Sequence, residues 1–282
     1  MSAMAVTYLG GPTLLMEYAG LRVLVDPTFD PPQSYEDPGS TPLVKTTGPA
    51  IEAADLGDVD LVLASHHEHP DNLDAAGRAF AMRAPVVLST PEAAIDLGDP
   101  VLGLDPWEQH LVGAVTVTAV PALHGPPGSE AFVGAVTGFM LEAPGEPRVY
   151  VSGDNASLPL VEHIGERFAP VDVAVLFAGA ARVPAIDAPL TLTSADAARA
   201  AELLRARVVV GVHCEDWEHF SESRADLESA FAGMDLLVDT PRGVRVIRRR
   251  AIPAATRATA SAASCSRCRR GFVRGLRSCD LR

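Results

Sequence analysis

Lysine is almost absent from this chain: Lys45 is the only one among 282 residues, and every other basic side chain is arginine. With abundant alanine, that skew points to a GC-rich genome and carries no chemistry of its own. No apolar run approaches the roughly 18 residues that a membrane span needs, so no membrane partner is expected. No segment with the charged, apolar and small-residue order of a signal peptide opens the chain, so a cytoplasmic location is expected. Cysteine is scarce. Three of the four, Cys265, Cys268 and Cys279, lie in the last segment, where a closed zinc site would need a fourth ligand that the neighbourhood lacks.

Positive charge is also short in most of the chain. Residues 251–282 hold seven arginines against one acid, Asp280, among many alanines and serines, and are expected to form a disordered tail. The remaining residues carry 16 basic and 35 acidic side chains, a net charge of −19. A body that acidic is repelled by phosphate backbones, which counts against nucleic acid as a partner and leaves a small molecule as the expected substrate. The hydrophobic fraction of 48% is ordinary for a globular protein, and the length suits one large α/β unit over residues 1–250.

What the chain does hold is a dense polar cluster, SHHEHPDNLD at 65–74. Neutral imidazole and carboxylate are the side chains that bind zinc and similar metals. Residues 59–64 form a short apolar run that reads as a buried strand, and Pro70 cannot lie inside a helix. The cluster therefore occupies a loop at the carboxyl end of a strand, where α/β folds place their chemistry. The same pattern recurs three times: His124 follows VTVTAVPAL, Asp154 follows RVYVSG and His213 follows RVVVGV. Each alone has a bland alternative, such as a turn aspartate bonding its own backbone. Four in a row point to a shared metal site.

Further strands are expected at 4–9, 13–18, 21–26, 85–89, 115–120, 132–141, 148–152, 171–177, 207–212, 235–239 and 243–248. Helices are expected at 72–83, 91–97, 157–168, 194–206 and 223–232, the fourth with Thr193 or Ser194 as its cap. Residues 27–50 hold six prolines and no periodicity, which predicts a long loop and suggests a flap on the substrate side.

The order of a histidine cluster with an aspartate, a lone histidine, an SGD aspartate and a late histidine resembles the metallo-β-lactamase superfamily. YLGGPTLLMEYAGLRVLVDPTF (8–29), DNLDAAGR (71–78), HGPPG (124–128), YVSGD (150–154) and GVHCEDWEHF (211–220) resemble its metal-dependent hydrolases, among them the ascorbate phosphate lactonase-like proteins. The resemblance implies an α/β (α+β) fold, a four-layered αβ/βα sandwich with one or two divalent ions at one edge of facing sheets.

It also implies ligands. One ion would take two cluster histidines and His124; the other would take Asp71 and His213, with Asp154 bridging. His66 with His69 follows the strand as the family's first ligands do, while His67 fits the family spacing without a gap and remains an alternative to His66. The family's last cluster histidine is Asn72 here, so the second site is expected to bind more weakly or to hold a harder ion. Zinc suits the ligands, with manganese or iron as alternatives. The implied activity is hydrolysis of a small ester, lactone or phosphodiester by a metal-activated hydroxide, with Asp71 orienting it or taking its proton. Asn72 also motivates a second reading, a metal-binding protein without turnover. His219, Trp107, Trp217, Phe177 and Arg182 are expected to serve packing, although His219 could also protonate a leaving group.

Overall fold

The computed structural model describes residues 3–36 and 42–249. The segment expected to be a disordered tail, with its three cysteines, lies outside the described residues.

The chain opens with the antiparallel strands β1 (Ala3–Gly10), β2 (Thr13–Tyr18) and β3 (Leu21–Val25). A hairpin of β4 (Gln33–Tyr35) and β5 (Leu43–Lys45) follows. Then come β6 (Leu61–Leu63), α1 (Ala75–Ala81), β7 (Val87–Ser89), α2 (Pro91–Leu97) and β8 (Val101–Gly103). The second half runs β9 (Gln109–Val112), β10 (Val115–Pro121), α3 (Glu130–Val133), β11 (Thr137–Glu142) and β12 (Val149–Val151). It ends with α4 (Leu158–Phe168), β13 (Val173–Phe177), α5 (Ser194–Leu203), β14 (Val208–Val212), α6 (Arg224–Ala230) and β15 (Arg245–Arg249).

Two sheets result, one of seven strands in the order β15-β1-β2-β3-β6-β7-β8 and one of six in the order β14-β13-β12-β11-β10-β9. Successive side chains of a strand face opposite ways, so a strand covered on both faces can be apolar throughout. β13 is a clear case: Val173, Val175 and Phe177 enter the core between the sheets, and Ala174 and Leu176 meet the helices. Tyr8, Met16, Val25 and Leu63 of the first sheet face Val117, Phe139 and Val175 of the second. Behind the first sheet, Leu24 and Val62 join a cluster with Phe80 and Ala93 of α1 and α2. Behind the second, Tyr150 and Leu176 join Val161, Ala200 and Leu227 of α4, α5 and α6. This is the four-layered αβ/βα sandwich. Among the described residues no helix is long and apolar enough to cross a membrane.

Several expected elements differ, each for a local reason. Helix α1 starts at Ala75 rather than 72 because Asp74 is its cap, accepting from Gly77 N at 2.7 Å. Residues 69–73 close a turn through Leu73 N and His69 O. The strand expected at 132–141 begins only at Thr137, since 130–133 is helical and Gly134 takes a φ of 78°. The run at 235–239 makes only a single bridge, Val209 to Leu237. Residues 27–50 are not one open loop: β4 and β5 pair within them. The hairpin is held by Tyr35, stacked on Trp217 at 5.5 Å, and by a buried ion pair of 2.9 Å between Lys45 and Asp74.

Candidate metal centre

Because β3 runs parallel to β6, and β12 and β13 parallel to β14, their carboxyl ends share one edge of the sandwich. β10 points the same way, two antiparallel steps from β12. Asp26, His66, His124, Asp154 and His213 each follow one of these ends. Two of them sit in the left-handed backbone region, Asp26 at φ 37° and His213 at φ 58°. Non-glycine residues are rare there and gather at functional sites. Glycine at 179 permits the bend, since a Cβ on it would lie 2.1 Å from the His213 carbonyl oxygen.

Three histidines form one group. His66 Nε2 lies 2.9 Å and His124 Nε2 3.3 Å from His69 Nδ1. The far nitrogens are tied back: His124 Nδ1 donates to the Leu190 carbonyl at 2.8 Å, and His66 Nδ1 lies 3.0 Å from Ser65 Oγ. A donor on Nδ1 leaves the His124 Nε2 lone pair facing the group, the tautomer that a metal ligand needs. Burial, reinforced by His69 and His124, holds the His66 pKa well below the usual histidine range. Burial also lowers His69, partly offset by Asp71.

Asp71, Asp154 and His213 form the second group, all three buried. His213 Nε2 lies 3.3 Å from Asp71 Oδ2 and 3.5 Å from Asp154 Oδ1. Asp154 Oδ2 faces the other way, 3.6 Å from His124 Nε2, so this carboxylate stands between the groups. Burial works to raise the Asp71 pKa, but the neighbouring His219 and His213 imidazoles outweigh it and hold the carboxyl well below its usual range. For His213 burial works downward, and Asp154, Asp71 and Asp26 raise it on balance.

The chemistry of the inward atoms tests whether a cation belongs here. Asp71 Oδ1, Asp154 Oδ2 and His213 Nε2 are buried without a hydrogen-bond partner. Each such atom costs about 1–3 kcal/mol, and several turned toward one another cost more unless a positive ion lies among them. Imidazole nitrogens and carboxylate oxygens without thiolate suit zinc, manganese or iron. The residues fit divalent metal.

His67 is not part of either group. Its Nε2 lies 2.9 Å from Asp96 Oδ2 and its Nδ1 3.2 Å from Glu68 Oε2, whereas His66 and His69 lie together with His124. Asn72 Nδ2 donates at 3.0 Å both to Asp26 and to Asp154, while its Oδ1, the amide atom able to meet a cation, is buried without a hydrogen-bond partner. Asp26 itself went unrecognised in the sequence. It accepts from Ser65 N at 2.6 Å and Ser65 Oγ at 2.7 Å, linking the strand before His66 to Asp154 through Asn72. Burial, against the hydrogen bonds from Asn72 and Ser65, pushes its pKa up to about 7. Its signal was present, an aspartate ending the run LRVLV, as at the other sites. His219, expected to serve packing, places Nε2 3.0 Å from Asp71 Oδ2. Phe177 does pack, its ring stacked on His213 at 5.3 Å, and Trp107 stacks on Phe168 at 6.4 Å.

Two paired sheets carrying histidines and aspartates on one edge define a class, the metallo-β-lactamase fold. Residues 21–214 match the family described as the beta-lactamase superfamily domain. The chain is 31% identical over 218 residues to a UPF0173 metal-dependent hydrolase of Pyrobaculum calidifontis, covering 74% of this chain and 84% of that protein. It is 28% identical over 171 residues to a UPF0173 metal-dependent hydrolase of Pyrococcus abyssi, covering 59% and 72%. Among solved structures, an isothiocyanate hydrolase from Delia radicum gut bacteria superposes with a TM-score of 0.74 at 21% identity, over 86% of this chain and 98% of that one. This chain belongs to the metallo-β-lactamase superfamily, with the metal-dependent hydrolases.

Proposed function

We propose that the protein hydrolyses a small ester, lactone or phosphodiester at a centre of one or two divalent ions. The observation that carries this reading is the pair of ligand triads with Asp154 between them, the inward atoms of Asp71, Asp154 and His213 buried without a hydrogen-bond partner. His66, His69 and His124 would hold one ion, and Asp71 and His213 the other, with one Asp154 oxygen toward each. A divalent ion there lowers the pKa of a bound water from 15.7 to about 7 and stabilises charge growing on a carbonyl or phosphoryl oxygen.

The protein's own groups do the rest. Asp71 orients the attacking water or takes its proton. His219 Nε2 and His213 Nε2 flank Asp71 Oδ2 at 3.0 and 3.3 Å, fixing the carboxylate's direction. Asp26, Ser65 and Asn72 form the frame behind Asp154 and His66. Such supporting residues are worth about 10–100-fold in metal affinity or activity. That frame supports turnover over the metal-binding reading without turnover: the latter rested on Asn72, whose Nδ2 orients the carboxylate between the groups.

Metal content by mass spectrometry, taken with hydrolysis of generic ester and phosphodiester substrates, tests the proposal. The parent protein is expected to carry at least one equivalent of zinc, manganese or iron. His124→Ala should lower its metal affinity by about 100-fold or more, since even residues behind a ligand reach that value. Asp71→Ala should remove activity to a similar degree. If both variants keep the parent's activity, or if the parent binds less than one equivalent, the reading is wrong.

A further inference from the structure

A cavity of about 970 Å³ opens beside His69. That is near the upper end of the roughly 300–1,000 Å³ typical of small-molecule sites. Away from His69 its wall is apolar, built by Leu43, Leu73, Phe132, Val133, Val183 and Ile186. Phe132 is 84% exposed, a large apolar ring left facing water at the cavity rim. Its four-residue helix α3 is tied to the metal centre, because Ser129 Oγ donates to the His124 carbonyl at 2.5 Å.

The charged wall residues are all acidic: Glu36, Glu68 and Asp74, with no arginine or lysine lining the cavity among the described residues. Asp74 is neutralised by Lys45, the one lysine of the chain, which is thereby unavailable to a ligand. Sites for phosphate supply arginine, lysine or aimed backbone N–H groups. A diester's scissile phosphate would face the ions, so the cavity takes the rest of the molecule, and any charge carried there would lie toward Glu36 and Glu68 with no side-chain cation to offset it.

We infer that the substrate is an uncharged carboxylic ester or lactone whose apolar acyl chain lies along Leu43, Phe132, Val183 and Ile186, an inference that rests on the hydrolase reading above. Hydrolysis breaks the acyl C–O bond and forms a new one to the water oxygen. One water proton passes to the leaving alkoxide, and the other is released as the product acid ionises. The cavity acts on the part of the substrate that does not react, so it sets selectivity by chain length. Each methylene buried there raises kcat/KM by about fourfold until the cavity is filled.

The test compares p-nitrophenyl acetate, butyrate, hexanoate and octanoate with bis(p-nitrophenyl) phosphate on the metal-loaded protein, alongside Phe132→Ala. Phe132 lies on the surface, so its replacement should leave folding and bound metal intact, as circular dichroism and metal analysis would verify. The expected result is a kcat/KM that climbs about fifteenfold for every two methylenes added, with a flatter climb in F132A. Ester cleavage without dependence on chain length, or a slope that F132A leaves unchanged, would overturn the inference. Preference for the phosphodiester would overturn it too, while leaving the hydrolase reading in place. Failure to cleave any of the five by a protein with its metal bound would overturn both.

Discussion

Asp74 shows how much a single carboxylate organises next to this centre. It accepts from Phe29 N at 2.9 Å, Asp30 N at 2.7 Å and Gly77 N at 2.7 Å, and pairs with the Lys45 ammonium at 2.9 Å. Lys45 and Asp74 expose 2% and 0% of their side chains, so replacing one strands the other's charge out of water. Breaking a buried pair in this way costs about 3–5 kcal/mol. Asp74→Ala is expected to lose that much in a urea titration, and a loss under about 1 kcal/mol would mean that water reaches Lys45. Single residues were legible in the sequence where they ended an apolar run, as His66, His124, Asp154 and His213 do. Asp26 met that criterion and escaped notice because it matches no metal-ligand position of the family pattern. His219 follows no strand, and only folding brings it the 148 positions to Asp71.

Elements were legible in proportion to their punctuation. Thr90, Pro91 and Gly98 bracket α2, which has the expected bounds: Thr90 accepts from Ala93 N and Gly98 turns the chain at φ 71°. The short pieces α3, β4, β5, β8 and β9 are too brief for a period to show in the sequence. Helix α1 illustrates a constraint that propensity hides. A Cβ on Gly77 would lie 1.7 Å from the Pro27 carbonyl oxygen, so the helix touches the segment after β3 through bare backbone. Alanine usually stabilises a helix interior by about 1 kcal/mol over glycine. Here the clash should reverse the sign, and Gly77→Ala is expected to lose about 1–3 kcal/mol through forced displacement. Thermal unfolding reads the outcome directly. A rise in Tm would show that α1 stands further from Pro27 than described.

Across the whole molecule, the centre couples the two sheets. His66 and Asp71 follow β6 in the first sheet, while His124, Asp154 and His213 come from the second, so an ion between them draws on both layers. Ligand that binds only the folded state stabilises it by about 2.7 kcal/mol when its free concentration is 100 times Kd. At about 2–4 °C per kcal/mol for a domain of this size, stripping metal with a chelator should lower Tm by roughly 5–10 °C. Adding zinc back should restore it, and a Tm indifferent to chelation would separate the centre from the stability of the sandwich. The layered architecture came from family resemblance rather than periodicity. Apolar runs reveal strands, but not that β15, last among the described residues, returns to pair with β1.

Burial of Lys45 has a further consequence for handling the protein. Reagents that couple to primary amines find no accessible side-chain amine among the described residues, because the chain has one lysine and that one is enclosed. Acylation of Lys45 can proceed only when the β4–β5 hairpin lifts away from Asp74. Its rate therefore counts openings of the wall that bounds the cavity.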